Sequence, residues 1–580
     1  MSDRLASLVQ SGHLRRVDVA LGDWVVRAFP GTPPEVALAA ALAARAVADG
    51  HSALALDRAQ AWLEGLDGEG KPEPLPAPAA WCGVLRAAAA VQAYPNALAG
   101  AVAPLVLDPQ RRVYLRRYFE YERQLAGALV QRARATPGAT PAPTATDGLD
   151  AAQQQAIDTA LSGRFTLITG GPGSGKTYSV VRLLAALVAQ AHAAPLRIAL
   201  SAPTGKAAAR LCETVRAQLG RLHLPVSAAE QIPTTASTVH RLLGLNPATA
   251  RARFDAAAPL PFDVIVVDEV SMVDLPLMTR LVAAVPDSAR LILLGDPDQL
   301  SAVEAGDVLG ALVAAAHAGP LRACHVALTR GHRFGADSAL GALARAIATG
   351  NADAALAICT HGPGISLVEP AQRTAFITAA AAAYTPVLDA ADAAQALRAA
   401  RAFRVLTALR RGPSGCVALD RAIAAHLQRA SGIAADARWW RGRLLLVTAN
   451  RPELGLFNGD TGVVWPDADG ILKAWFAGAD GTPRPLAPAA LPPHEGAFAL
   501  TVHKAQGSEF DRVALVTGPD SAVLTRQLLY TGVTRARERV QLYADPAVLH
   551  AGIERNATRF GGLADRIGEA ARTATVTSAE

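Results

Sequence analysis

Residues 164–177 read RFTLITGGPGSGKT. A short apolar run turns through a cluster of glycines. The next thirteen residues, YSVVRLLAALVAQ (178–190), then repeat apolar side chains at helical spacing. A strand that turns through glycines into a helix aims backbone N–H groups and the positive helix end at an anion. Gly170, Gly171, Pro172, Gly173, Ser174 and Gly175 would form that cradle. Lys176 would reach the β- and γ-phosphates of a nucleoside triphosphate, and the Thr177 hydroxyl would bind Mg²⁺. A chance glycine turn would require neither flanking element.

The same rhythm continues on both sides. LRIALSAPT (196–204), FDVIVVDE (262–269) and ARLILLGD (289–296) are further short apolar runs with helical patterns between them. Buried parallel strands alternating with helices predict an open α/β sheet. A second set, FRVLTAL (403–409), RLLLVTAN (443–450), DRVALVTG (511–518) and RVQLYA (539–544), predicts a second α/β domain. VIVVDE places Asp268 at a strand tip, where it can hold the metal through water, and Glu269 beside it, where it can polarise an attacking water. In LILLGDPDQL (291–300), Gln299 is a candidate for orienting that water and sensing the γ-phosphate. Arg535 in LLYTGVTRARERV (528–540) and Arg333 in LTRGHRF (328–334) are candidates for neutralising transition-state charge from outside the P-loop domain.

Residues 1–135 alternate helical patterns with short turns. Tyr114, Tyr118 and Tyr121 recur among arginines, either as a core face or as a basic contact surface. TPGATPAPTATDG lies in 136–148 and reads as an extended linker. Residues 441–495 are richer in Gly, Pro and short alternating strands, and the tail after Ala570 is expected to fray.

At 580 residues the chain exceeds one core, so three or four domains are expected. A charge of +6 suits a polyanionic partner without requiring one. Five scattered cysteines without a CxxC pair argue against a zinc site or a disulfide framework and suit a reducing cytoplasm. No signal peptide or membrane span is expected.

Lysine is scarce: Lys71, Lys176, Lys206, Lys473 and Lys504 stand among 56 Lys plus Arg. Three of them follow strands at polar turns, where a compact ammonium fits and a guanidinium fork does not. Lys71, in DGEGKPEP, reads as a solvated loop residue.

In chain order, LDAAQQQAI (149–157), GGPGSGKT, APTGKAAARL (202–211), TASTVHRLLG (235–244), VIVVDEVSMVD (264–274), GDPDQLSAVEAGDVL (295–309), HRF (332–334), TVHKAQGSEFD (501–511) and LLYTGVTRAR (528–537) resemble the motif series of superfamily 1 DNA helicases. With LGLFNGDTGVV (454–464), the last stretches look most like the RecD family, the alpha chain of exodeoxyribonuclease V (RecBCD). SGHLRRVDVAL (11–21), GHSALAL (50–56) and PLVLDPQRRVYLRRY (104–118) are similar to that family's N-terminal domain.

The resemblance implies two RecA-like domains in tandem, 149–330 and 331–440 with 496–570. It also implies a helical partner-docking domain at 1–135, an SH3-like insertion at 441–495 and a flexible tail at 571–580. Gln153 would read the adenine edge. Lys176, Thr177, Asp268, Glu269, Gln299, Arg333 and Arg535 would bind and hydrolyse Mg·ATP. Thr204, Lys206, Ser237, Thr238, His240, Thr501, His503 and Lys504 fall in motifs that touch DNA.

The implied function is a 5′→3′ DNA helicase subunit acting at double-strand break ends for recombinational repair. RecB-like and RecC-like chains would be its partners, with the nuclease on a partner. The rivals are a stand-alone RecD-like helicase, a non-hydrolysing scaffold and, distantly, a P-loop metabolite kinase.

Overall fold

The computed structural model describes residues 3–577 except 67, 96–102, 136–147, 191–194, 223, 247–248, 250, 332–337, 370–372, 479–480 and 519–522. Most of the linker expected at 136–148, Arg333 and residues 578–580 lie outside the described residues.

The first lobe is a six-stranded sheet, parallel throughout. Its order is His325–Leu328, Phe165–Gly170, Arg290–Gly295, Val264–Val267, Ile198–Ala202, Ser237–Thr238. Its strands are continuous apolar runs because both faces are covered. Leu167, Ile265, Leu291 and Leu293 enter one core, and Ile168, Val266, Ile292 and Leu294 enter the other. The phosphate-loop helix, Lys176–Gln190, packs in the second core through Val180, Leu183, Leu184 and Leu187.

The second lobe is also parallel. Its order is Ile365–Val368, Ala536–Tyr543, Phe510–Val516, Phe403–Thr407, Ala499–Thr501. The run 443–450 was expected among these strands and is not one of them. Leu444–Val447 instead sits in a separate antiparallel sheet ordered Pro483–Leu486, Leu472–Ala477, Thr461–Pro466, Leu444–Val447, His494–Gly496. Its four-residue apolar run reads like a parallel strand because it too is buried on both sides. Leu444 and Leu446 join the second-lobe core, and Leu445 and Val447 join the small sheet's own core.

The amino-terminal region is not purely helical. Helices Asp3–Gln10, Arg16–Ala28, Pro34–Ala48 and Pro78–Ala87 accompany a four-stranded sheet of Leu54–Ala55, Arg112–Leu115, Leu105–Leu107 and Val91–Ala93. Strands of two to four residues leave too few alternations for a period to register. Helix Arg116–Arg134 leaves this region and enters the first-lobe core through Leu125, Leu129 and Val130.

The expected fraying after Ala570 is also corrected. Leu563–Thr577 is one helix, anchored through buried Leu563 and Ile567 in the first-lobe core. Residues 555–562 cross back from the second lobe to reach it. Arg559 donates to Ala302 O at 3.2 Å, and the Phe560 ring stacks on His51 at 4.4 Å. Among the described residues, no helix is long and apolar enough to cross a membrane.

Candidate active site and nucleic-acid face

The phosphate loop is shaped before any ligand arrives. Gly173 and Gly175 have φ of 75° and 86°, left-handed values that favour glycine. Ser174 Oγ is buried without a hydrogen-bond partner. The Lys176 ammonium folds back on the loop's own carbonyls, Gly170 O at 2.5 Å and Gly171 O at 3.1 Å. A buried hydroxyl with no partner and a lysine held against the loop's own carbonyls are donors of the kind a phosphate cradle needs. The donors therefore fit a triphosphate.

Across the cradle, Thr177 Oγ1 lies 3.4 Å from Asp268 Oδ2. A hydroxyl and a carboxylate so placed suit one hard divalent cation with phosphate oxygens completing its shell. Among the described residues no group of three or more His, Cys, Asp or Glu gathers to hold a metal by itself. Glu269 follows in the left-handed region at φ 55°, which turns its side chain away from the strand direction. A non-glycine residue held there at a strand tip is local strain of the kind found at functional sites. Burial, and then Glu269 next door, push the Asp268 carboxyl up to about 6, against Lys176.

That shift has a sign. Between pH 4 and 6 the folded chain holds a proton that the unfolded chain has released, so stability contributed at Asp268 falls as pH rises through that window. Asp268→Asn is expected to raise the stability of the nucleotide-free protein at pH 7.5 by on the order of 2 kcal/mol. The gain vanishes near pH 4, read as melting temperature against pH. An unchanged melting temperature at both pH values would show that the carboxylate is not strained.

Gln299 is buried and donates to Asp296 Oδ2 at 2.9 Å. The second lobe meets this strand end directly. Tyr530 Oη donates to the same Asp296 oxygen at 3.1 Å, Leu300 N donates to Thr531 Oγ1 at 2.9 Å, and Gln506 Nε2 donates to Leu300 O at 3.1 Å. A methyl group on Gly171 would sit 2.9 Å from the Tyr530 hydroxyl, so the lobes touch at the phosphate loop itself.

Arg535 lies one turn beyond Tyr530, buried, with long bonds to Thr531 O (3.1 Å), Ser508 O (3.4 Å) and Thr534 Oγ1 (3.4 Å). Burial pushes its guanidinium down, while Glu269 and Asp296 hold it charged. Lys176 acts on the same Asp296 carboxylate. Lys176 ends the phosphate loop that Tyr530 touches, and Arg535 follows the helix that carries Tyr530, so the two cations lie on either side of the same seam. Gln153 is buried, with its carboxamide oxygen accepting Asp150 N at 3.1 Å in a helix capping box.

The remaining sequence candidates line the carboxyl ends of strands. Thr204 and Thr238 cap helix starts by accepting from Ala207 N and Arg241 N, both at 3.2 Å. Thr501 accepts Lys504 N at 3.3 Å. Lys206 is half-buried, and burial, then Arg404, lower its ammonium to about 8, with Asp460 opposing. Phe457 of the antiparallel insertion seats against Gly205, where a methyl group would lie 2.7 Å from its ring. Lys504 pairs with Glu495. Ser237 accepts a bond from Ser201 Oγ at 3.0 Å through its carbonyl, His240 is exposed, and burial lowers the His503 imidazole.

Sequence reasoning passed over Asp296, Gln506, Tyr530, Thr531, Arg210 and Glu509, although all six lie inside or beside the quoted motifs. Arg210 stands four residues beyond Lys206 on the same helix, a spacing that puts both on one face.

A phosphate-loop lobe and a second parallel lobe sharing one triphosphate cleft, with polar strand ends alongside, define a tandem RecA-like motor ATPase of the helicase type. Family models agree: an AAA domain matches residues 153–305, a UvrD-like helicase C-terminal domain 496–543, and the RecBCD subunit RecD N-terminal domain 10–114. RecBCD enzyme subunit RecD of Mycolicibacterium smegmatis is 40% identical over 92% of this chain and 93% of its own length. The ATP-dependent RecD2 DNA helicase of Deinococcus radiodurans is 33% identical over 74% of this chain and 54% of its own. The Pif1 helicase of Candida albicans aligns with 69% of this chain and 96% of its own at a TM-score of 0.39 and 15% identity. The chain belongs to the RecD family of RecBCD subunits.

Proposed function

We propose that this chain is the ATP-driven DNA helicase subunit of a RecBCD-type complex, moving 5′→3′ on single-stranded DNA from double-strand break ends. The observation that supports the reading is the seam between the lobes at the phosphate loop: Asp296 accepts both Gln299 of one lobe and Tyr530 of the other, and Tyr530 stands against Gly171. Thr177 and Asp268 would hold Mg²⁺, which neutralises phosphate charge. Glu269 and Gln299 would position the attacking water, and Arg535 would meet charge developing on the γ-phosphate. Arg333 would be a second such cation, and Gln153 would read the base. Thr204, Lys206, Ser237, Thr238, His240, Thr501, His503 and Lys504 would track the strand's phosphates, and the insertion at 441–495 would act as an SH3-like cover over that path. The reaction needs no membrane and belongs in the cytoplasm.

The partners would be RecB-like and RecC-like chains, the latter two supplying the nuclease and the rest of the assembly. A stand-alone RecD2-like helicase is the second reading, but residues 10–114 match the N-terminal domain of the complex-forming subunit.

The test is ATP hydrolysis by the assembled complex with and without single-stranded DNA, with Lys176→Gln as the blank. Stimulation of about tenfold or more, nearly indifferent to sequence and falling steeply with salt, is expected. No stimulation by DNA in the wild-type complex would overturn the motor reading. Failure to co-elute with RecB-like and RecC-like chains would favour the stand-alone one.

A further inference from the structure

The opening of the second lobe's motif segment, TVHKAQGSEFD, lies on the nucleic-acid face, and its end lies at the nucleotide cleft. Glu509 is the residue that arrives there. Its carboxylate is almost fully buried, at 5% exposure, although nothing in the second lobe's hydrophobic core calls for a charge. One oxygen takes the Arg210 guanidinium of the first lobe, and the other accepts Arg537 Nε at 3.2 Å. The acid is therefore clamped between one cation from each lobe.

Arg210 belongs to the helix Gly205–Leu219, whose first turn carries Lys206. Burial works against its charge, and Glu509, Glu269 and Asp268 together outweigh that, holding the guanidinium above its usual range. Arg535 in turn feels Glu269, Arg210 and Glu509 together. Arg210, Glu509, Glu269, Asp268 and Arg535 thus share one electrostatic neighbourhood, and Arg210 is the member whose helix also carries Lys206.

We infer that Arg210 is a positioning residue that couples hydrolysis to strand movement: from the first-lobe helix that carries Lys206 it holds Glu509, in the second-lobe segment that carries Lys504. Arg210 bonds Glu509 across the lobes and sits on the helix whose first turn carries Lys206, so movement of one lobe against the other is transmitted through this ion pair. Glu509 is five residues from Lys504 in one chain segment, so a changed grip on Glu509 is passed along that segment towards Lys504. Arg537 anchors Glu509 from behind, so the acid stays with its own lobe when Arg210 lets go. A static packing role would need none of this, since an ion pair removed from solvent is often replaceable by apolar side chains of like volume.

The inference rests on the motor reading above and is tested beside it. The assembled complex is prepared as wild type, Arg210→Gln, Arg210→Lys, Glu509→Gln and the Arg210→Gln/Glu509→Gln double variant, and three quantities are read: kcat and KM for ATP with saturating DNA, and base pairs unwound per ATP. Arg210→Gln is expected to lower DNA-stimulated kcat about tenfold or more while moving KM for ATP less than about threefold, because it positions rather than binds. Base pairs unwound per ATP are expected to fall as well. Glu509→Gln is expected to match it, the double variant to be no worse than either single, and Arg210→Lys to recover part of the loss. Additive losses, or an Arg210→Gln complex that hydrolyses less but unwinds the same length per ATP, would overturn the coupling role. Loss of DNA stimulation in the wild-type complex would instead sink the motor reading, so the two failures are distinct. Native-like melting of Arg210→Lys separates a folding defect from either.

Discussion

Arg535→Gln is expected to lower kcat for DNA-stimulated ATP hydrolysis by about 10³-fold, with a smaller change in KM for ATP. The side chain is 2% exposed, with its nearest oxygens at 3.1–3.4 Å, distances at the long end for a guanidinium. A cation so loosely satisfied and so well desolvated is preorganised for charge that appears only during reaction. Glutamine keeps a donor and most of the volume, so the fold should survive. Melting temperature within a few degrees of wild type is the control. Single-turnover hydrolysis measures the chemical step itself. If that rate is unchanged, Arg535 is a structural residue of the second lobe and the shared cleft has no catalytic meaning.

The effect is also expected to depend on the partner lobe being present. Tyr530 and Thr531, on the helix leading to Arg535, bond to Asp296 and to Leu300 N. Tyr530→Phe removes the bond to Asp296 and keeps the one between Leu300 N and Thr531, so it leaves Arg535 in place but loosens the helix that leads to it, and a milder loss of kcat with native melting is the consistent companion result.

Why the cleft was legible in sequence, and the ties around it were not, follows from range. RFTLITGGPGSGKT encodes strand, turn and helix within fourteen residues, and each position answers to its immediate neighbours. The same holds for the Asp268–Glu269 strand tip and for Thr204, Thr238 and Thr501, whose hydroxyls bond to N–H groups three residues on. Arg210 and Glu509 are 299 residues apart. Neither carries a periodicity that names the other, and only the packing of two sheets reveals the pair. The antiparallel insertion misled the strand assignment for a related reason. Leu444–Val447 is apolar on both sides because two different cores claim it, a situation that a one-dimensional pattern cannot distinguish from a parallel strand. The amino-terminal strands escaped because two to four residues hold too few alternations to announce a strand.

Arg566→Met is expected to destabilise the protein by about 3 kcal/mol and to release its carboxyl-terminal helix. Arg566 and Asp108 are buried at 2% and 0% side-chain exposure and bond at 3.0 Å across 458 residues of chain. Around them Tyr94 donates to Glu569 at 2.7 Å, Arg112 donates to Asp565 and to Gly561 O at 2.6 Å, and Glu122 accepts Ser52 Oγ at 2.6 Å and Gly562 N at 3.0 Å. The Arg566 guanidinium also stands over the Tyr94 and Phe119 rings at 4.4 and 5.3 Å. Met fills much of the volume and leaves Asp108 with one cation, Arg112 Nε at 2.7 Å, in place of two, so the loss is electrostatic rather than a cavity. Arg566→Met with Asp108→Asn is therefore expected to be less destabilised than Arg566→Met alone, a reversal that simple truncation of packing would not give. Hydrogen exchange reads the site directly: amides of Leu563–Thr577 and of Arg112–Leu115 should lose protection together in Arg566→Met while those of Phe165–Gly170 keep theirs. Residues 555–562 and the helix that follows them tie the amino-terminal region to both lobes, and this clasp would hold that region in register while the cleft works.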